Sequence, residues 1–387
     1  MENIRFGRSA TRARAAKKPK TYVDFTYMIT VFIMLAFGLV MVFSASTAVS
    51  HRFHGNSWTI FRQQAAWVGI GFVGMFIAAN YDYKKLGRWV NVGLVITILL
   101  HIAVLIPGLG INVGGATRWL GVGEQFSFQP SELAKIVVIA FFAHHLSRNA
   151  DRLKSFKGLV IPYLLVIGIF AALLMFQPHF SATLLIAVTA VVMLFVAGAK
   201  IMHFVLLALP VIPALVWLVI NEAYRLRRIT AFLDPFNPDF MRDESFQIVQ
   251  SLYAIGSGGI FGVGLGQSRQ KHGYLPEPHN DFIFSVIAEE LGLIGAILVI
   301  CLFIFLIKRG IKIAMNAPDS FGTFLAIGIT TLIGFQALVN IAVVTSSMPV
   351  TGMPLPFFSY GGSAMVFTMA AMGIMLNISR QSTTLQL

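Results

Sequence analysis

The chain has 387 residues, 57% of them hydrophobic and only 12% charged, with a mean hydropathy of +0.77. Soluble domains carry about 25% charged residues, so a soluble Rossmann enzyme, a disordered chain and a disulfide scaffold are all excluded. A bilayer span takes about 20 apolar residues, which leaves material for roughly ten spans. The formal charge of +13 raises nucleic acid as a partner. The basic residues form no folded face, however, and no nucleic-acid partner is expected.

Residues 1–24 form a basic tail in which Arg5, Arg8, Arg12, Arg14, Lys17, Lys18 and Lys20 read as a cytoplasmic topology signal that also meets anionic lipid. The first apolar run, 25–46, exceeds a signal-peptide core and reads as an uncleaved anchor. Further runs follow at 64–80, 89–107, 132–147, 159–176, 180–198, 201–220, 282–307, 321–345 and 361–379. With the N-terminus inside, cytoplasmic segments collect 19 of the 29 Lys and Arg residues and outer segments nine. Six of those nine lie in one long loop, where the positive-inside rule is weak. The expected fold is therefore an all-α polytopic membrane protein of about ten transmembrane helices with both termini cytoplasmic. Its membrane domain spans 25–380, and 381–387 form a short inner tail. Cys301, the single cysteine, lies inside an apolar run and offers neither an intramolecular disulfide nor a cysteine metal site.

Inner loops are short and basic, whereas three outer loops look ordered. The largest, 221–280 between helices 7 and 8, keeps Phe232, Phe236, Phe246, Ile248, Val249, Leu252, Tyr253 and Phe261. Its stretch 245–255 has the apolar spacing of a short amphipathic helix at the outer interface. A second loop, 108–131, contains Gly115-Ala116-Thr117-Arg118-Trp119, and a third, 346–360, is uncharged with Pro349, Pro354 and Pro356. Function therefore points outward. Gly262-Val263-Gly264-Leu265-Gly266 follows no buried strand and reads as a turn, not a dinucleotide loop. There is no Walker A lysine motif and no histidine pair at metal-ligand spacing, so the substrate must arrive already activated.

Ionisable groups within spans are costly and usually functional. Glu132 and Lys135, in Gln129-Pro130-Ser131-Glu132-Leu133-Ala134-Lys135, share one helix face at i, i+3. They form either a structural ion pair or the lining of a polar cavity open to the outer leaflet. Pro276-Glu277-Pro278-His279-Asn280-Asp281-Phe282 precedes helix 8. Asp281 there is either a helix cap or an oxygen base at the mouth of the bundle. Of Glu289 and Glu290, two turns deeper, one is expected to face the interior. His144 and His145 read as interfacial.

These segments together resemble the SEDS family, the FtsW/RodA/SpoVE group of peptidoglycan glycosyltransferases. The resemblance runs from about residue 24 onward. It rests on the Gly115–Trp119 and Gln129–Lys135 motifs, Arg228-Ile229-Thr230-Ala231-Phe232-Leu233, Gly264-Leu265-Gly266-Gln267-Ser268-Arg269-Gln270-Lys271, 275–281, and Pro354-Leu355-Pro356-Phe357-Phe358-Ser359-Tyr360-Gly361-Gly362-Ser363. The loop wording, especially 266–271 and Pro349-Val350-Thr351-Gly352, is similar to the FtsW/SpoVE branch. The resemblance implies glycosyl transfer on lipid II at the outer face of the bacterial plasma membrane, for septal or spore wall synthesis. The family's essential aspartate falls on Asp281. Arg228 matches a loop arginine that, with Arg118, Lys271 or Lys135, would stabilise the leaving diphosphate. Glu132, His279, Glu290 and Ser359 complete the expected substrate site. A divalent cation, Mg or Mn, at the diphosphate is allowed for. The implied partners are lipid II, a class B penicillin-binding protein and other division or sporulation membrane proteins. Two departures stand out: His179 in Gln177-Pro178-His179, where many relatives carry aspartate, and Asn280, where threonine is frequent. A lipid II flippase, with Glu132, Lys135 and Glu290 along a headgroup path, and a divisome membrane scaffold are the competing readings.

Overall fold

The computed structural model of the protein describes residues 23–113, 115–122, 126–149, 153, 155–221, 223–241, 243 and 245–382. Nearly all of the basic tail expected at 1–24 and of the inner tail expected at 381–387 lies outside the described residues.

Every predicted apolar run is helical. In chain order the helices are α1 (Phe25–His54), α2 (Thr59–Asn80), α3 (Tyr83–Leu105), α4 (Pro130–Asn149) and α5 (Phe156–Leu159). A π-helical turn, Val160–Leu164, joins α5 to α6 (Leu165–Phe176). Then come α7 (Phe180–Val196), α8 (Ile201–Ile220), α9 (Ala223–Leu233), α10 (Phe246–Gly258), α11 (Ile283–Met315), α12 (Ser320–Val344) and α13 (Gly362–Gln381). Seven of them, with α5 and α6 taken as one, are long and apolar enough to cross a membrane. Of the other three, α4 carries Glu132, Lys135 and Arg148 and α7 has only 17 residues, whereas α8 is a continuous apolar helix of 20 residues with Pro210 and Pro213 inside it.

One end of the bundle gathers helix termini through polar contacts. Asp24 caps α1 by accepting from the Tyr27 amide at 2.9 Å, and both its oxygens accept from Arg309 at 2.7 Å. Its own amide donates to Ser379 Oγ at 3.1 Å, which brings the start of α1, the far part of α11 and the end of α13 together. Asp319 caps α12 by accepting from the Gly322 amide, and it also accepts from the Tyr83 hydroxyl. Chain entry and chain exit therefore share one end.

The opposite end differs from an all-helical expectation. The loop 108–131 folds into an antiparallel sheet of β1 (Gly110–Val113), β2 (Ala116–Val122) and β3 (Phe126–Phe128), with Gly110 facing Leu120 and Leu120 facing Phe128. These strands are too short for alternation to stand out against a background of long apolar helices, so the sequence reads there only as an ordered loop. In the large loop, the amphipathic stretch is α10, which buries Ile248, Val249, Ser251 and Ala254 and exposes Tyr253. Helix α9, strongly amphipathic but short, was not foreseen.

Helix α11 is broken. Gly292 sits at φ 66°, ψ −165°, in the left-handed half of the map, and divides the helix into a first half of buried residues, 283–290, and a longer second half. The main-chain groups freed by the break are answered by the large loop. The Val263 and Gly264 amides donate to the Glu289 and Glu290 carbonyls at 3.0 Å, while the Leu293 amide donates to the Gly259 carbonyl at 2.9 Å. Backbone approaches backbone so closely that a Cβ on Gly262 would stand 2.2 Å from the Glu290 oxygen, and one on Gly292 2.3 Å from the Gly262 nitrogen. In Gly292→Ala the left-handed φ alone costs about 1–3 kcal/mol, and the clash adds to it. A markedly lower thermal midpoint of the detergent-solubilised protein is expected; an unchanged midpoint would show that the break is dispensable.

Candidate functional site

Asp281 lies at the start of the buried half of α11. The N-cap residue of that helix is Phe282, and no side chain caps it. The Asp281 carboxylate is therefore not committed to capping, and among the described residues it forms no hydrogen bond. Its main chain, by contrast, is held firmly. Asn340 of α12 donates from one Nδ2 to the Asp281 carbonyl at 2.7 Å and to the Met353 carbonyl at 2.6 Å. Ser359 Oγ donates to the Asn280 carbonyl and accepts from the Leu355 amide, both at 2.7 Å. The Tyr360 amide donates to the His279 carbonyl at 2.8 Å. Gln64 of α2 closes the set, donating to the Ser359 carbonyl at 3.3 Å and accepting from the Gly361 amide at 3.2 Å. Gly352, at φ 67°, passes beside the carboxylate; a Cβ there would sit 3.3 Å from Asp281 Oδ2.

The electrostatics of this carboxyl are opposed. Burial, then the neighbouring Glu277 carboxylate, push the Asp281 pKa up, and Arg118 pulls it back, leaving it at about 6. Glu277 holds a left-handed φ of 49° and accepts from the Asn280 side chain at 2.5 Å. A non-glycine residue stays in that region only when its surroundings enforce it. His279 is mostly buried, and burial holds its imidazole below the usual pKa against the pull of Glu277.

Arg118 reaches the site from β2. Its Nε donates to the Gln177 carbonyl at 3.2 Å and an Nη donates to the Pro178 carbonyl. His179 follows, with its Nε2 2.9 Å from Gln129 Nε2, and stays neutral because burial, then Arg118 and Lys135, lower its pKa to about 3. Glu132 and Lys135 form an ion pair of 2.8 Å, with side chains 9% and 6% exposed. Arg118 is thus fixed to the turn between α6 and α7, from where its charge acts on Asp281.

Two expected site residues lie in a separate cluster. Lys271 Nζ donates to Glu290 Oε1 at 2.7 Å, to the Gly266 carbonyl at 2.8 Å and to Ser44 Oγ at 3.1 Å, and Ser44 in turn donates to Glu290. With side chains 2% and 0% exposed, Lys271 and Glu290 are committed to each other and tie the large loop to α1 and α11. The expectation that only one of the neighbouring glutamates faces inward is also revised. Glu289 is buried as well, accepting from Ser268 Oγ at 2.5 Å and from the Arg269 amide at 2.8 Å. Arg228 falls in α9, and its side chain lies outside the described residues. Among the described residues no three His, Cys, Asp or Glu side chains gather as a metal cage. No described residue is therefore assigned to the Mg or Mn allowed for at the diphosphate.

Asn340 is not singled out from sequence, and Gln177 enters there only as the first residue of Gln177-Pro178-His179. Asn340 interrupts an apolar run, a signal available to any reading that counts neutral polar residues in spans as well as charged ones.

The chain matches the cell cycle protein family, FtsW/RodA/SpoVE, over residues 25–384. It is 44% identical to stage V sporulation protein E of Bacillus subtilis over 363 residues, covering 94% of this chain and 98% of that one. It is 42% identical to a probable peptidoglycan glycosyltransferase FtsW of Geobacter sp. strain M18, covering 92% and 96% of the two chains. Among solved structures it is similar to a chain of a peptidoglycan synthase complex that coordinates polymerization and crosslinking, with a TM-score of 0.78, 27% identity and coverage of 94% and 99%. Rod shape determining protein RodA of Thermus thermophilus is similar at a TM-score of 0.67 and 26% identity, covering 93% and 97%. Fold and site thus define a multi-pass helical membrane protein with a carboxylate at one mouth of its bundle. The chain belongs to the FtsW/RodA/SpoVE family.

Removing one partner of a buried ion pair costs about 3–5 kcal/mol, whereas replacing both can be nearly neutral. Lys271→Met is therefore expected to reduce recovery of folded protein well below that of the double variant Lys271→Met/Glu290→Gln. Equal recovery of the two would remove the structural role assigned to this pair.

Proposed function

We propose that this chain is a peptidoglycan glycosyltransferase that polymerises lipid II into glycan strands. The observation that carries the reading is the Asp281 carboxylate, without a hydrogen bond among the described residues although the main chain of 279–281 is held from α12 and from the 359–360 segment. The family match and the relatives named as glycosyltransferases support it. The acceptor's GlcNAc 4-hydroxyl attacks the anomeric carbon of the donor MurNAc. A C–O bond forms there as the bond to the undecaprenyl diphosphate breaks, with inversion. Asp281 takes the hydroxyl proton, and the lipid diphosphate leaves with the bonding electrons. A positioned base contributes typically about 10²–10⁴-fold. Arg118, held by neutral carbonyls, keeps its positive charge for the site, where it would meet the negative charge growing on the diphosphate. Lys135, already paired with Glu132, shapes the approach. His279 and Ser359 hold the turn that presents Asp281, and Arg228 remains a candidate for the diphosphate. Any cation that assists would come with the diphosphate, and no residue of this chain is assigned to it.

The same reading places the chain in the bacterial plasma membrane with ten spans. Both termini are cytoplasmic, and the large loop and Asp281 face outward. Its partner would be a class B penicillin-binding protein, since the similar solved chain belongs to a synthase complex. Other division or sporulation membrane proteins would join it.

Polymerisation of purified lipid II by the protein with its transpeptidase partner tests this. Asp281→Asn is expected to lower glycan output by at least about 10²-fold. Normal chains from that variant would refute the base, and lipid II movement across liposomes without polymer would point to a flippase. The base must be ionised, so wild-type activity should fall as pH drops through about 6, the value at which Asp281 titrates. A rate independent of pH between 5 and 7 would exclude Asp281 as the titrating group.

A further inference from the structure

Among the described residues Arg118 is the one cation that acts on Asp281, and no described hydrogen bond from its own strand fixes where the guanidinium points. The fixing comes from the turn between α6 and α7. The Gln177 and Pro178 carbonyls accept from Arg118 Nε and Nη. That turn is itself anchored from beneath. Gln177 is 2% exposed, and its Nε2 donates at 2.9 Å to the carbonyl of His101, a fully buried residue near the end of α3. The Gln177 and His179 amides both donate to the Leu174 carbonyl, at 3.2 and 2.8 Å, and His179 meets Gln129 at the head of α4.

We propose that Gln177 is a positioning residue for glycosyl transfer: its side chain braces the 177–179 turn against α3 so that two main-chain carbonyls hold Arg118 beside Asp281. The proposal rests on the roles given to Asp281 and Arg118 above.

The residue type follows from the chemistry. A guanidinium has five N–H donors and accepts nothing. Neutral carbonyls can orient it without cancelling its charge, whereas an acid at 177 would compete with Asp281 for it. An apolar residue at 177 would leave the His101 carbonyl without this donor and the turn without its brace. The glutamine amide is a neutral donor long enough to reach α3. The charged groups around the cradle are few. Asp281 faces Arg118, Lys135 and Arg118 act on His179, and Glu277 faces Asp281 from its own turn.

The test is the pH–rate profile of the full-length protein with its transpeptidase partner on lipid II. Gln177→Met keeps the length and apolar volume but loses the donor. It should lower the turnover rate about 10- to 100-fold, the cost of a misplaced catalytic-site group. The acid limb should also move to higher pH, because Arg118 no longer holds Asp281 down. In an Arg118→Ala background, adding Gln177→Met should change the rate by no more than about twofold, since residues acting through one group are not additive. A rate loss with an unmoved acid limb would assign Gln177 a purely structural role and overturn the proposal. So would an undiminished further loss in the Arg118→Ala background, or a wild-type profile. If Gln177→Met does not yield folded protein, Gln177→Asn, which keeps the amide but shortens its reach, carries the same comparison. An active Asp281→Asn variant in the same series would instead remove the base assignment, which separates the two failures.

Discussion

The break in α11 at Gly292 is the constraint on which the end of the bundle that carries Asp281 depends. In a hydrocarbon solvent every main-chain donor and acceptor must find a protein partner. Interrupting a helix frees several at once. Here the large loop supplies them, amide to carbonyl in both directions, and only glycines at 262 and 292 allow the two backbones to lie so close. The loop is thus part of the helix's hydrogen bonding. Glu289 and Glu290, flanking the break, then fix the next stretch of loop through Ser268, Arg269 and Lys271. From Lys271 the chain has ten residues to reach Asp281, and both ends of that interval are pinned.

The acidic groups of this region meet different fates, and the difference separates scaffold from site. Glu132 is paired with Lys135, Glu290 with Lys271, and Glu289 accepts from a hydroxyl and main-chain amides. Each is compensated, as burial requires. Among the described acids of this region, Asp281 alone has its main chain restrained and its carboxylate left unbonded. Its cation is held by carbonyls and so is not neutralised by a second acid. A carboxyl poised near neutrality follows from that arrangement, because burial and Glu277 raise its pKa while Arg118 acts in the other direction.

Much of this was readable before any coordinates. The apolar runs became helices, and the spacing at 245–255 became α10. The polar residues flanking Pro130 and preceding Phe282 lie where the structure gathers buried polar contacts. The sheet at Gly110–Phe128 escaped because three short strands leave almost no periodic signal, and α9 because eleven residues give barely three turns. Lys271 and Glu290 look like site residues in sequence for the same reason they are found paired in the structure. A charge in an apolar region calls for explanation, and a partner distant in sequence is as good an explanation as a substrate. The contacts of Gln177 and Asn340 escaped for the opposite reason, since a neutral amide attracts little notice until its carbonyl partners are known.

The sequence by itself determined the solvent, the helical class and the family, because hydropathy and motif wording are local properties of the chain. It could not decide which of its few charges are compensated. That depends on contacts between residues such as Ser44 and Glu290, or Arg118 and Pro178, whose separations in sequence carry no local signature. Only the tertiary structure decided that Lys271 holds the loop, that Asp281 is no helix cap, and that a buried glutamine stands behind the arginine beside it.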